Sequence, residues 1–412
     1  MGRPKYEYDL EARRKRSTQD RSWMSPMIWT IVSSICVTAV FLGLYSSFSS
    51  LFNLGILPLF AQRFSAAPFR AFSKGSGCFG KPDGFKIIAV VPFYSSARTQ
   101  ILDCYLQKNL ASNRGFLDEV VFVPQTNDTT SLDWLESLID SSPQYTISQP
   151  GNDTAHGSSS SNMYIWIDGD VVFLEDHTIP TIVKTKLDYA GSALVSANVV
   201  NQASLKTLHS HPGTALPYLP ELPSAQSQDY TAQDWRVADL PRWEGPANFK
   251  ADGVFSAPPH SHRWLLANEE DMDRTPIATS MYGDDGPGWD HWTVHAQQHY
   301  SFLYHLQVGN LYRYKFPMWS NPVESISPNL LCLQGDDDFN TLQVVLQQGK
   351  SGVLDSRTVH EAYGDKRRVI IDGKGLAAHY SGDRSDEGGL DTTDVLQRYW
   401  LYAREFVCPQ TA

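Results

Sequence analysis

Two aspartates one residue apart, Asp168 and Asp170, interrupt an otherwise apolar run of the chain. The run reads YIWIDGDVVF over residues 164–173, with β-prone side chains before and after the two carboxylates. Burying two carboxylates so close together costs free energy unless a cation or strong hydrogen-bond donors compensate their charge. A turn at Gly169 would let both carboxylates face one ion, and hard oxygen ligands suit Mg²⁺ or Mn²⁺, which usually also hold substrate phosphates. The pattern therefore predicts a site for a divalent metal and a diphosphate.

The same Asp-x-Asp spacing is a weak pattern when it stands alone, because chance matches usually lie in solvated turns. Here the flanks on both sides of the pair are apolar, which disfavours an exposed turn. We therefore favour the metal interpretation of Asp168 and Asp170 and keep the solvated turn as its alternative.

The N-terminal region has the pattern of a membrane anchor. No charged residue occurs from Ser22 to Gln62, and the apolar segment 27–48 is long enough for a bilayer, which needs about 20 residues. Basic residues precede it, and arginine and lysine tend to stay on the cytosolic side. We expect a cytosolic tail (1–26), a transmembrane signal anchor (27–48), a stem (49–82) and a lumenal catalytic domain (83–412). A buried globular helix is the alternative for 27–48.

Charge and cysteine content narrow the function class and the compartment. The formal net charge of −11 over 412 residues argues against nucleic acid as a partner. Outside the predicted anchor the chain has an even number of cysteines, as expected for an oxidising lumen: Cys78, Cys104, Cys332 and Cys408. Four cysteines allow three pairings, and the sequence does not choose among them. Two glycosylation sequons, at Asn127 and Asn152, fit the same compartment.

The catalytic region alternates between strand and helix patterns. Residues 86–92, 119–123 and 163–167 read as buried strands, and residues 99–110 and 132–139 have helical spacing. This alternation predicts an α/β fold with a mostly parallel sheet. Ligands of such sheets lie at the carboxyl ends of strands, where both 92–94 and 168–170 fall.

Three further segments of the C-terminal half carry predictions. Residues 367–372 and 373–379 read as a hairpin-like pair of strands, and residues 392–406 as a closing helix. The Pro- and Trp-rich segment 212–259 is too long for an idle connection, so we expect a substrate-side insertion, with a disordered linker as the alternative.

A zinc hydrolase is a second function class, suggested by three histidines. His291, His295 and His299 fall at i, i+4 and i+8, and two histidines at i, i+4 can hold zinc. The glutamate of the H-E-x-x-H zinc motif is absent, so a wall of the acceptor site is the favoured role. A third class is a non-catalytic carbohydrate-binding or scaffold protein on a transferase fold, which the intact Asp168 and Asp170 disfavour.

A collinear series of segments resembles a known family. It includes VPFY at 91–94, WIDGDVVF at 166–173, SANVVN at 196–201, LQGDD at 333–337 and AHY at 378–380. The series, over about 83–406, resembles a fungal group of type II membrane proteins regarded as glycosyltransferases of the GT-A fold. One departure is the glycine at 169, where the resemblance leads us to expect aspartate more often.

The resemblance implies roles for individual residues. Asp168 would contact the donor ribose and metal-bound waters, and Asp170 and His379 would ligate Mn²⁺ or Mg²⁺; a structural histidine is the alternative for His379. Bordering the nucleotide base of a UDP- or GDP-sugar would be Pro92, Phe93 and Tyr94, with core packing as the alternative for Phe93.

An inverting reaction also requires a base that deprotonates the acceptor hydroxyl. Asp336 and Asp337 are the candidates, with a solvated acidic turn as their alternative. The sequence leaves open whether the reaction inverts or retains configuration, and it does not name the sugar or the glycan, glycoprotein or glycolipid acceptor.

Overall fold

The structure is a computed structural model. It describes residues 79–148, 161–222, 232–251, 255, 258, 261–283, 286–320, 325–348, 354–355, 361–364, 368–380 and 389–409. All of these lie within the compact unit Pro68–Ala412. The predicted tail, the anchor 27–48 and most of the stem fall outside the described residues. Within the described ranges, no helix is long and apolar enough to cross a membrane.

The elements alternate as the sequence predicts. The strands are β1 (Ile87–Phe93), β2 (Glu119–Pro124), β3 (Tyr145–Ile147), β4 (Met163–Ile167), β5 (Val171–Leu174), β6 (Ser192–Val200), β7 (Tyr218–Pro220), β8 (Trp264–Leu266), β9 (Trp319–Ser320), β10 (Ser325–Ile326), β11 (Leu330–Gln334), β12 (Leu354–Asp355) and β13 (Arg368–His379). The helices are α1 (Ser96–Asn109), α2 (Thr129–Asp140), α3 (Thr178–Asp188), α4 (Lys206–His209), α5 (Pro276–Tyr282), α6 (Trp292–Gln307), α7 (Asp336–Gln348) and α8 (Val395–Phe406).

A mixed, mostly parallel sheet forms the centre of the fold. Its strand order is β3-β2-β1-β4-β11-β6-β13-β5, and β9 pairs with β13. The first four strands of this order are parallel to one another, and β6 is parallel to β13. Between β4 and β6 lies β11, antiparallel to both, so β6 and β13 run in the same direction as the first four strands. The predicted α/β class with a mostly parallel sheet is therefore confirmed.

The apolar strands are explained by cover on both faces of the sheet. In β1, Ile87, Ala89 and Val91 join the main core, while Ile88 and Val90 join a second cluster with Phe339 of α7. A strand buried on both faces needs apolar residues at every position rather than at alternate positions. The whole of β1 is accordingly buried.

One strand replaces the predicted hairpin at residues 367–379. The segment continues through Gly373 and Gly375 as β13, and its pairing with β6 shifts register between Asp372 and Leu376. A Cβ atom at Gly373 would lie 2.2 Å from the carbonyl oxygen of Phe316, so this glycine allows close backbone approach at a bulge. The prediction of a turn here was wrong because a glycine pair also fits a bulged strand.

The described parts of segment 212–259 are packed against the fold. Strands β7 and β8 pair antiparallel, and the indole of Trp243 donates a hydrogen bond to the carbonyl oxygen of Pro220 at 3.0 Å. Trp243, Leu219 and Leu265 share a small buried cluster. These contacts contradict the disordered-linker alternative for the described residues of the segment.

Candidate active site

A tight turn between β4 and β5 carries Asp168 and Asp170. The backbone N–H of Asp168 donates to the carbonyl oxygen of Asn329 at 2.8 Å, and that of Val171 donates to the Asp168 carbonyl at 3.0 Å. The N–H of Asp170 donates to Oδ1 of Asp168 at 3.0 Å. These bonds fix the turn, so the orientation of the first carboxylate is set by the backbone that also carries the second.

Gly169 has to be a glycine in this turn. A Cβ atom at this position would lie 2.1 Å from the carbonyl oxygen of Pro92 and 3.2 Å from Cδ2 of Tyr94. The turn after β4 is therefore in direct backbone contact with the carboxyl end of the neighbouring strand β1. The aspartate expected at 169 from the family resemblance would require the backbone to move.

His379 reaches the same edge of the sheet from the end of β13. It pairs with Val171 of β5 across a local bulge, and the backbone N–H of the next residue, Tyr380, donates to the carbonyl oxygen of Asp170 at 2.8 Å. One ligand atom from each of Asp168, Asp170 and His379 lies within 4.8 Å of the other two. The structure therefore brings His379 together with the two aspartates, which lie far earlier in the sequence; all three were predicted to hold a metal.

The free polar atoms of this group fit a cation. Oδ1 of Asp170 and both ring nitrogens of His379 are buried, and none has a hydrogen-bond partner among the described residues. Nε2 of His379 faces Oδ1 of Asp168 at 3.5 Å. Buried polar atoms are normally paired, so these atoms need a partner, and a divalent ion between carboxylate and imidazole ligands would supply it.

Electrostatics around the group reflect the concentration of negative charge. Burial lowers the pKa of His379, but the carboxylates of Asp168 and Asp170 outweigh burial and raise it above its ordinary value. Burial and repulsion from Asp168 raise the pKa of Asp170, against the opposing effect of Arg98. Without a metal, this group therefore favours holding protons that a bound cation would displace.

Arg98 is a site residue that the sequence analysis missed. It lies in the first turn of α1, and its Nη1 donates to Oδ2 of Asp170 at 2.8 Å. Nη2 lies 3.5 Å from Oδ2 of Asp391, and the guanidinium lies 5.0 Å from the ring centroid of Tyr380. A single arginine in a predicted helix is usually a solvated charge, so its residue type gave no signal. The one available signal was its position, five residues after Phe93 at the carboxyl end of β1.

A buried polar network supports His379 from behind. The amide of Asn201 donates to the backbone carbonyl of His379 at 3.3 Å and to Nε2 of His299 at 2.8 Å. Nδ1 of His299 lies 2.9 Å from the hydroxyl of Tyr399. Asn201 has a φ of 66°, in the left-handed region that asparagine tolerates better than most residues.

The three residues predicted to border the base separate into two environments. Phe93 is fully buried and stacks on Trp134, with ring centroids 6.1 Å apart, so it occupies the core position that was its alternative. Tyr94 is partly exposed, and the carbonyl of Pro92 lies against Gly169. Of the two aromatic rings predicted to border the base, only Tyr94 is accessible in the structure.

The structure does not bring Asp336 and Asp337 to the metal group. They begin helix α7, immediately after β11, and their side chains are outside what the structure describes. Because β11 is antiparallel to β4, its last residue, Gln334, pairs with Met163 at the start of β4, whereas Asp168 follows its end. A general base must lie within hydrogen-bond reach of its proton, and this backbone places the pair at the opposite edge of the sheet.

The three histidines predicted at helical spacing do not come together at one possible metal site. His291 precedes α6 and caps it, with Nδ1 2.8 Å from the hydroxyl of Thr293. Both ring nitrogens of His299 have the protein partners described above, and burial lowers the pKa of His295 to about 4. In the part of the chain that the structure describes, these histidines form no group that could hold a metal ion, so they give the zinc-hydrolase alternative no support.

Comparisons with known proteins give only slight likenesses. No family model and no curated protein matches the chain. Parts of it resemble TarS residues 1–349 of S. aureus (14% identity, 28% of this chain, 36% of that chain, TM-score 0.21). A second match is glucosyl-3-phosphoglycerate synthase of Mycobacterium tuberculosis with Mn²⁺, UDP and phosphoglyceric acid (15% identity, 31% of this chain, 49% of that chain, TM-score 0.21). A third is the mannosyltransferase PcManGT of Pyrobaculum calidifontis with GDP-Man and Mn²⁺ (16% identity, 36% of this chain, 44% of that chain, TM-score 0.22).

The chain spans less than half the length of each of these three proteins. At such TM-scores the likenesses carry no weight for the fold or the activity of this chain. What the fold and the site define by themselves is an α/β protein with an Asp-Asp-His group at the carboxyl edge of its sheet.

Proposed function

We propose that this chain is a divalent-metal-dependent glycosyltransferase of the GT-A type. It would transfer a hexose from a UDP- or GDP-sugar to a glycan, glycoprotein or glycolipid acceptor. The observation that carries the proposal is the convergence of Asp168, Asp170 and His379, with their ligand atoms within 4.8 Å of one another. Their location at the carboxyl edge of a mostly parallel sheet, where α/β folds bind ligands, supports it.

The donor set suits the proposed ion. Two carboxylates and an imidazole offer oxygen and nitrogen ligands, which Mn²⁺ accepts, and Mg²⁺ is the second candidate because it prefers oxygen. Asp168, Asp170 and His379 would hold the ion, which would supply Lewis-acid stabilisation of the negative charge on the departing nucleoside diphosphate. The residues' own part is to hold the ion beside the carboxyl end of β1, where Tyr94 is accessible for stacking on the base.

We also propose that the protein is a type II membrane protein with its catalytic domain in the Golgi or ER lumen. The apolar segment 27–48 and the basic residues before it support this topology. A disulfide between Cys104 and Cys408 fits an oxidising compartment. Confocal localisation and protease protection of the catalytic domain in intact microsomes would test the topology; digestion of that domain in intact vesicles would contradict it.

Thermal stabilisation of the full-length protein is the direct test of the function. Melting would be followed with a panel of UDP- and GDP-sugars, each with Mn²⁺ and with EDTA. A ligand that binds only the folded state raises the melting temperature, so we expect a rise that needs both the metal and one nucleotide class. The variant Asp168→Ala should lose this rise, and the matched exposed control Asp140→Ala should keep it.

The opposite result points to the alternative function. A well-folded protein that shows no metal-dependent shift with any nucleotide-sugar would exclude the transferase proposal. Stabilisation by oligosaccharides alone would then support a non-catalytic carbohydrate-binding protein.

A further inference from the structure

Arg98 contacts one residue of the metal group and two residues close to it. Its guanidinium contacts two carboxylates, Asp170 at 2.8 Å and Asp391 at 3.5 Å, and lies over the ring of Tyr380. The side chain is only 17% exposed. An arginine buried to this extent needs full compensation of its charge, and the described residues compensate it with groups at the candidate site.

Hydrogen bonds also fix the residues that surround Arg98. The hydroxyl of Tyr380 donates to Oδ1 of Asp391 at 2.8 Å, and the backbone of Tyr380 is bonded to Asp170. Tyr380 directly follows the ligand His379, so one short segment supplies both a metal ligand and the platform under the guanidinium. Arg98 therefore has a defined position relative to the metal group.

The two oxygens of Asp170 have different partners. Oδ2 accepts from Arg98, while Oδ1 is buried without a hydrogen-bond partner among the described residues. Oδ1 is thus left for a cation shared with Asp168 and His379. The Asp170 carboxylate consequently lies between two positive centres, the guanidinium and the position of the ion.

The guanidinium of Arg98 and an ion at the metal group would form two adjacent positive charges, which suit an anion with two linked charged groups, such as a diphosphate. A guanidinium has five N–H donors in a planar fork, and the contacts with Asp170 and Asp391 use one N–H each. No further acceptor for Arg98 occurs among the described residues. Arginine forks are well suited to phosphoryl oxygens, so the remaining donors fit a second phosphoryl group beside the one held by the ion.

We propose that Arg98 is a donor-binding residue that contacts the diphosphate of the nucleotide-sugar. This inference rests on the proposed function, since it assigns a second contact to the same donor. The plainer role is a structural counter-ion for Asp170, and the two roles differ in how the loss of Arg98 changes metal binding and nucleotide binding.

Calorimetric titration of the full-length protein separates them. Mn²⁺ is titrated alone, and UDP, GDP and their monophosphates are titrated at saturating Mn²⁺, into wild type, Arg98→Gln and Arg98→Lys. Loss of a charge-assisted contact predicts about 10- to 100-fold weaker diphosphate binding in Arg98→Gln, with a smaller loss for the monophosphates. Mn²⁺ alone should bind Arg98→Gln at least as tightly as wild type, because a neighbouring positive charge has been removed.

Arg98→Lys keeps the charge beside Asp170 and should show an intermediate loss, which also provides a folded comparison if Arg98→Gln is unstable. Arg404→Gln, at an exposed arginine of α8, is the control and should match wild type. Unchanged diphosphate affinity in Arg98→Gln, or a parallel loss of Mn²⁺ and diphosphate binding, overturns the role of Arg98 alone. Absence of Mn²⁺-dependent nucleotide binding in wild type overturns the proposed function itself.

Discussion

At the scale of single residues, Asp170 has the most demanding position in the site. Burial and the neighbouring Asp168 disfavour its ionised form, and Arg98 favours it through a hydrogen bond at 2.8 Å. A metal on the opposite oxygen would also favour the ionised form and would complete the compensation of a buried carboxylate. The residue therefore matters more for binding than for the stability of the metal-free fold.

Asp170→Asn should abolish sugar transfer and leave the fold intact. The amide is nearly isosteric with the carboxylate and its oxygen can still accept the hydrogen bond from Arg98, which keeps Asp391 as a counter-ion, but it is a poor metal ligand. Transfer would be measured with a radiolabelled donor, and melting would be recorded in EDTA. The exposed Asp140→Asn is the control. Normal transfer by Asp170→Asn at ordinary Mn²⁺ concentration would exclude Asp170 as a ligand.

Gly169→Ala should damage the site by steric means alone. The added methyl group would lie 2.1 Å from the carbonyl oxygen of Pro92, so the turn between β4 and β5 has to shift. We expect a free energy of unfolding lower by about 1–3 kcal/mol and Mn²⁺ affinity at least about 10-fold weaker. Denaturant titration and calorimetry would measure the two effects.

The matched control for this variant is Gly191→Ala. A Cβ atom at Gly191 would have no atom within 4 Å, and its φ is not in the left-handed region, so little change is expected in either quantity. Wild-type Mn²⁺ affinity in Gly169→Ala would show that the contact with Pro92 does not position the carboxylates.

At the scale of elements, the site depends on how β6, α6 and β13 meet. Asn201 follows β6, His299 belongs to α6, and His379 ends β13. The side-chain amide of Asn201 bonds to the other two, so it sets the end of the strand that carries the ligand. Groups that orient a metal ligand typically change metal affinity about 10- to 100-fold when removed.

Asn201→Ala and Asn201→Gly should both weaken Mn²⁺ binding by about that factor. The two variants lose the same amide, but glycine accepts a φ of 66° without strain, so Asn201→Gly should unfold at a higher temperature than Asn201→Ala. If Asn201→Gly bound Mn²⁺ like wild type, the amide would have no positioning role.

Buried histidines make the fold sensitive to acid. Burial lowers the pKa of His209 in α4 to about 3, and its Nε2 lies 2.8 Å from Oδ1 of Asn198. An unfolded histidine takes up a proton below about pH 6.5, whereas the folded one stays neutral to about pH 3. The unfolded state therefore binds more protons in this window, and the free energy of unfolding falls as pH falls through it.

We expect the loss of stability between pH 7.5 and 5.5 to be smaller in His209→Gln by about 1 kcal/mol. Urea titrations at the two pH values would measure it. His211→Gln, at an exposed histidine two residues away, should retain the wild-type pH dependence. An equal pH dependence in His209→Gln and wild type would mean that His209 takes up a proton over the same pH range in the folded and unfolded chains.

The local sequence pattern was sufficient to predict some helices and strands but not others. Strand β4 lies where the sequence predicts it, and α1 and β2 agree within a few residues, because each has its own apolar periodicity. The bulge in β13 was not predictable from its glycines, since a turn uses the same residues. The antiparallel direction of β11, which removes Asp336 from the site, depends on pairing with β4 and β6 rather than on its own sequence.

At the scale of the whole molecule, the contacts that complete the site join distant parts of the chain. Arg98 is 72 residues from Asp170 and 293 residues from Asp391, and neither separation leaves a signal in one sequence. The Asp-x-Asp pair was predicted from the metal chemistry of carboxylates, and His379 was predicted from the family resemblance. An arginine in a helix can have many roles, so the role of Arg98 could be inferred only from the structure.

The longest link is the disulfide between Cys104 of α1 and Cys408 after α8, which are 304 residues apart. It joins the helix that carries Arg98 to the C-terminal helix, while Cys332 is buried as a free thiol. A cross-link over so long a loop stabilises mainly by restricting the unfolded chain, typically by about 2–5 kcal/mol. The sequence left three pairings of the four cysteines open, each with Cys332 paired, whereas the structure pairs Cys104 with Cys408 and leaves Cys332 as a thiol. The bridge ties the first helix of the described fold to the residues after the last one.

Cys104→Ala, Cys408→Ala and the double variant should therefore lose similar free energies of unfolding, since breaking the bridge once removes the whole effect. Denaturant titration with and without reductant would measure this, and reductant should lower wild type to the level of the variants without changing the variants further. Two single losses that add in the double variant would indicate independent packing effects, and a wild type indifferent to reductant would mean that no bridge contributes. Although α1 begins beside the metal group, the bridge is expected to act only on the stability of the fold. The same variants should therefore bind Mn²⁺ normally at low temperature, where the fold persists, and lose binding only as they melt.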